Sequence, residues 1–152
     1  LHSTREVAIA NISPRWLFGA YIPYAAFSIG AFVLTSGGWT GLIYLSLGPM
    51  VYGGGFLLLL VATAMGRPAR IRLPWLFVVP LLATQAGAIL LNRGDCGDAP
   101  CRYLFIGRIL GDSGFYDPTL ANIGVWCLFA YLALFLLLCL SPLFNRPNSD
   151  ET

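Results

Sequence analysis

The sequence predicts an all-α membrane protein, a four-helix transmembrane bundle, on three observations. Apolar residues make up 57% of the 152 residues and charged residues 11%, with a mean hydropathy of +0.73, far from the balance of a soluble domain. Between Trp16 and Met65 there is no charged residue, so no helix in that stretch has the charged outer face that water demands. Four apolar segments follow one another, each about the roughly 20 residues that cross about 30 Å of hydrocarbon. They lie at about 16–35, 41–65, 74–91 and 118–140 of a single integral domain, 1–152, whose longest connection is 92–117.

The segments are read as helices because unpaired backbone groups in lipid cost several kcal/mol each, and the alternating pattern of barrel strands is absent. Residue 1 is Leu rather than Met, which reads as a trimmed or partial start. No basic segment with a small-residue cleavage site precedes Trp16, so the first span is expected to be retained. Pro14, Pro74 and Pro118 stand at span starts, where a missing N–H is harmless, and Pro142 is expected to close the fourth span. Trp16, Trp39 and Trp75 lie near the interfaces, where an apolar ring with one polar N–H is stable.

The arginines give the bundle a direction. Arg5, Arg15, Arg67, Arg70, Arg72 and Arg146 fall on one side; the other side carries Arg93, Arg102 and Arg108 offset by Asp95, Asp98, Asp112 and Asp117. Both termini are therefore expected on the cytoplasmic side of a bacterial inner membrane, the absence of lysine fitting a GC-rich genome. The basic residues are scattered, without the stripe that nucleic acid requires, so nucleic acid is not an expected partner.

Inside the spans, Pro23, Pro49 and Pro80 each remove one backbone hydrogen bond and permit a kink. The second span is the most broken, with Pro49 followed by Gly53, Gly54 and Gly55 near mid-membrane. Such a run can line a ligand site in an unwound helix, but close helix packing is the more economical reading. Pairs of small residues four apart, Ala26/Gly30 and Ala83/Gly87, likewise predict smooth packing faces on the first and third helices. Trp16-Leu17-Phe18 with Pro23 and Gly30 resembles Trp75-Leu76-Phe77 with Pro80 and Gly87. A true repeat would make two α-hairpins related by an axis along the membrane normal, although so few shared letters favour chance.

Chemistry-bearing residues concentrate in the long connection. Cys96 and Cys101, bracketed by Gly and Pro on the side away from the cytoplasm, predict a disulfide that pins a tight turn. Metal binding is not expected, since two thiols and two carboxylates are too few ligands and the lone His2 falls on the opposite side. The apolar run 103–110, too short to cross, reads as a surface segment that contacts lipid, covers the mouth of the bundle or docks on a partner.

A four-helix layout with external cysteines and cytoplasmic ends resembles that of the membrane enzymes that generate disulfides and pass electrons to quinone. Those enzymes react through Cys-X-X-Cys, whereas this chain has a Cys-X4-Cys spacing and its other cysteines, Cys127 and Cys139, lie inside the fourth span. The second reactive pair of that mechanism is missing.

No Asp, Glu, Lys, Arg or His lies inside the spans, which argues against proton relays, ion-coupled transport, voltage sensing and haem ligation. The intramembrane polar residues Ser28, Tyr21, Tyr24, Tyr44, Thr63, Thr84 and Tyr131 are expected mostly to bond to helix backbones. Gln85 and Asn122 are different: their amides predict a clasp to each other or to another helix. The leading expectation is a non-catalytic accessory or assembly subunit contacting lipid and other membrane subunits. A thiol oxidoreductase using Cys96 and Cys101, and a carrier of an uncharged or lipid-like ligand near the second helix, are the alternatives. No cofactor is predicted, though an apolar groove suffices for a lipid, pigment or quinone.

Overall fold

The computed structural model describes residues 9–66, 71–96, 99–112 and 114–144. The chain runs β1 (Ile9–Ile12), α1 (Pro14–Ser36), α2 (Gly38–Gly66), β2 (Ile71–Pro74), α3 (Trp75–Leu90), β3 (Arg93–Cys96), β4 (Ala99–Leu104), α4 (Phe105–Ile109) and α5 (Pro118–Phe144). Three helices are long and apolar enough to cross a membrane: Arg15–Ser36, Gly38–Met65 and Pro118–Leu143, with mean hydropathies of 1.7, 1.8 and 2.6. The protein is an integral membrane protein.

Local chemistry explains the helix ends. Ser13 Oγ accepts from the Trp16 N–H at 3.5 Å and Pro14 occupies the first helical position, so α1 starts with a capped end. It stops at Gly37 and α2 begins at Gly38, with φ of 66° and 49°, a left-handed pair that only glycine adopts at little cost. The connection expected over 36–40 is thus a single residue.

Four expectations are corrected. The fold is mostly helical but not purely α, because β1 pairs with β2 and β3 with β4, each antiparallel. The third apolar segment, expected as a span over 74–91, is a helix of only 16 residues, about 24 Å at 1.5 Å per residue, since residues up to Pro74 are used in β2. The second helix is unbroken through Pro49 and the three glycines. Pro142 lies inside α5, fully buried, and does not end it, since the helix runs on to Phe144.

The four long helices pack in a ring, α1 on α2, α2 on α5, α5 on α3, and α3 more lightly on α1. Helices α1 and α3 leave from the β1–β2 end; α2 and α5 return to it. The other end, closed by β3, β4 and α4, is the hairpin end. The core is aromatic, with Tyr21, Phe32, Tyr52, Tyr131 and Phe135 buried and the Tyr52 and Phe135 rings edge-on at 5.2 Å. Outward, Ile22, Phe27, Leu34, Met50, Leu57 and Trp126 are 63% to 78% exposed. Phenols inside and hydrocarbon outside invert the order of a water-soluble fold and suit lipid.

Three pairs of residues at the spacings of the short sequence repeat meet one another. The shift of 59 that carries Trp16 to Trp75 carries Ile12 to Ile71, and these two face each other in the β1–β2 ladder. The shift of 57 that carries Pro23 to Pro80 carries Ser28 to Gln85 and Thr35 to Asn92, and both pairs are hydrogen-bonded, at 2.7 and 2.9 Å. The two side-chain contacts tie α3 and the residue after it to α1.

Candidate functional site

The interior polar groups form one connected chain. Tyr24 Oη lies 3.1 Å from Gln85 Oε1 and 2.9 Å from Tyr131 Oη, which lies 2.7 Å from Tyr52 Oη. Gln85 Nε2 donates to Ser28 Oγ at 2.7 Å, and Ser28 Oγ donates to the Tyr24 carbonyl at 2.8 Å. Each hydroxyl has one proton. The Gln85 carbonyl oxygen can only accept, so Tyr24 donates to it, Tyr131 donates to Tyr24, and Tyr52 donates to Tyr131. The direction is fixed and every hydroxyl proton has an acceptor, which ties α1, α2, α3 and α5 together. Tyr21 adds a bond of 2.6 Å to the Tyr52 carbonyl.

A second polar knot lies at the hairpin end. Asn92 Nδ2 donates to Thr35 Oγ1 at 2.9 Å and to the Phe32 carbonyl at 3.3 Å, and its Oδ1 accepts from Tyr44 at 3.3 Å. Tyr103 Oη donates to the Ser36 carbonyl at 3.0 Å. Gly94 is what permits this approach, because any Cβ there would collide with the Ser36 carbonyl and the Tyr103 ring. Leu104 is fully buried, whereas Ile109 and Leu110 are 58% and 73% exposed. The run 103–110 therefore covers the mouth of the helices with its first half and leaves its second half outward.

Beside this knot is a cleft of about 890 Å³, with Thr40 and Tyr44 of α2, Ala88 of α3, and Asn122, Val125 and Leu128 of α5 in its walls. The β3–β4 hairpin contributes Arg93 and Arg102. The Arg93 guanidinium sits 5.8 Å from the centre of the Tyr116 ring, a cation–π contact that holds it over the cleft wall. Nearby carboxylates face backbone instead: Asp117 Oδ1 accepts from the Thr119 and Leu120 N–H at 2.7 and 3.0 Å, and Asp112 Oδ1 from Gly114 at 3.0 Å.

The clasp predicted through Gln85 exists, but its partners are Ser28 and Tyr24 on α1. Asn122 is exposed at the cleft, because the inward face of α5 runs through Ala121, Gly124, Tyr131, Phe135 and Cys139 and leaves residue 122 about 100° away. Among the predicted packing residues, Gly55 lies against Phe135 and Tyr21, and a Cβ on Gly87 would stand 2.9 Å from Cys127 Sγ. Ala26, Gly53, Gly54 and Ala83 are exposed, and a Cβ on Gly30 would meet nothing within 4 Å. The smooth faces thus point mostly away from the other helices.

The side chains of Cys96 and Cys101 fall outside the described residues; among the described residues no disulfide is seen, and Cys127 and Cys139 are free thiols. In the ladder Cys96 stands opposite Ala99 and Asp95 opposite Arg102, with an irregularity between residues 95 and 96. Among the described residues no three His, Cys, Asp or Glu side chains come together. Sequence reasoning missed the tyrosine chain and the roles of Asn92, Gly94 and Tyr103. One phenol at middle depth in each of α1, α2 and α5 was the available sign. No family model, curated protein or solved structure matches the chain.

Proposed function

We propose that the protein is a non-catalytic accessory or assembly subunit of a larger membrane complex, crossing the bilayer four times with both termini cytoplasmic. The observation that carries this reading is the connected hydroxyl and amide chain from Tyr52 to Ser28: its hydroxyl protons are all committed within the protein, which favours a rigid scaffold over a transport path. Outward-facing Ala26 and Ala83 offer small-residue surfaces on which a partner helix can approach closely. For α3, the fourth crossing, support comes from its apolar residues and its packing on α5. A Cys96–Cys101 bridge would fix the hairpin above the bundle.

The test is purification in mild detergent, with stoichiometry measured, alongside Ala26→Leu and Ala83→Leu. A partner retained in fixed ratio and lost in those variants supports the subunit reading; a monodisperse, partner-free protein in native lipid opposes it. The thiol oxidoreductase reading makes the opposite demand, that Cys96 and Cys101 cycle between thiol and disulfide and react with quinone. Labelling with and without reductant separates the two, because a structural bridge stays oxidised throughout. The continuous α2, with Gly53 and Gly54 exposed, gives the carrier reading no lined passage.

A further inference from the structure

The cleft at the hairpin end has the chemistry of a lipid site. We propose that it binds an anionic phospholipid, with the phosphate between Arg93 and Arg102 and an acyl chain along Ala88, Val125 and Leu128. Its volume of about 890 Å³ holds a substantial part of such a molecule. The wall is divided as an amphiphile is divided, with guanidinium groups from the hairpin and apolar side chains from α3 and α5.

Charge selects the headgroup. Among the described residues neither Asp nor Glu lines the cleft, and Asp112 and Asp117 are turned to backbone N–H groups. Arg93 faces Leu104 across the hairpin ladder and so has no acidic rung partner, whereas Arg102 shares its rung with Asp95. Arg93 is therefore the principal anchor, already oriented by Tyr116 before any ligand arrives. Guanidinium donors match phosphate oxygens in paired geometry, and Asn122 supplies a further amide on the opposite wall. Val125 and Asn122, on the α5 side of the cleft, are both exposed and so within reach of surrounding lipid.

The experiment uses the full chain, delipidated in detergent and titrated with dioleoyl phosphatidylglycerol, dioleoyl phosphatidylcholine or inorganic phosphate, with bound lipid counted by native mass spectrometry. Phosphatidylglycerol should bind in one copy and outcompete phosphatidylcholine. Arg93→Gln should weaken it about tenfold or more, Arg93→Lys should weaken it less, and Val125→Trp should displace the lipid by filling the wall. Both positions are exposed, so thermal midpoints should stay unchanged and separate lost binding from lost folding. Equal binding of the two lipids, an unaffected Arg93→Gln variant, or inorganic phosphate competing as well as the lipid would each overturn the proposal. The last outcome would make the cleft a free-anion site.

Discussion

The two helix pairs solve the same problem differently. Helices α1 and α2 are joined by Gly37 alone, while α3 and α5 are separated by residues 91–117, which hold a β-hairpin and α4. Helix α1 has 23 residues and α3 has 16, and the hairpin that follows α3 docks on Ser36 at the end of α1. At the opposite end the two pairs are joined by the β1–β2 ladder, in which Ile12 stands opposite Ile71. The difference teaches that individuality is built where the halves diverge: the Asn92 knot, the buried Tyr103 and Leu104, and the arginine-lined cleft all belong to the longer connection.

That contrast can be broken by substitution. The largest effect is expected for Gly94→Val, since a side chain there collides with the Ser36 carbonyl and Tyr103. A loss of about 3 kcal/mol, read by thermal or denaturant unfolding in detergent, would mark hairpin docking as a main support of the fold. Gly37→Ala should cost about 2 kcal/mol from backbone strain alone, because its φ is 66°. If Gly37→Ala proved the more damaging, the short turn rather than the hairpin would dominate.

Smaller effects sharpen the view of the shared centre. Tyr131→Phe removes the hydroxyl that links Tyr52 to Tyr24 and should cost about 1 kcal/mol, the usual scale for interhelical bonds in membranes. A double-mutant cycle with Gln85→Leu should show coupling if the chain acts as a unit. Asn122→Leu and Gly54→Ala should each shift stability by less than about 0.5 kcal/mol, since Asn122 is exposed and a Cβ on Gly54 meets nothing within 4 Å. A large loss in Asn122→Leu would restore the direct amide clasp expected from sequence.

Much of the fold was legible because the bilayer imposes it. Length, apolar runs, Trp16 and Trp39, and Pro14 and Pro118 marked α1, α2 and α5 to within a few residues. The strands were not legible, since β1 and β2 are four residues each and exist through pairing across the chain. Pro49 and Pro142 misled because a proline marks a missing donor, not an obligatory helix end. At the candidate site, composition identified Gln85 as a clasp but not its partner. That depends on the rotation of α3 and α5 about their axes, which a nearly all-apolar sequence does not reveal. Arg93 and Arg102 were visible only as charges until the hairpin brought them to one cleft.

The one-residue link at Gly37 also bears on how the protein is made. A tether that spans only about 3.5 Å keeps the ends of α1 and α2 side by side from the moment both exist. The two helices therefore behave as one hairpin that cannot come apart at its turn. Helix α5, released from so short a leash, can arrive later and find its place by hydrogen-bonding Tyr131 to two phenols already waiting there.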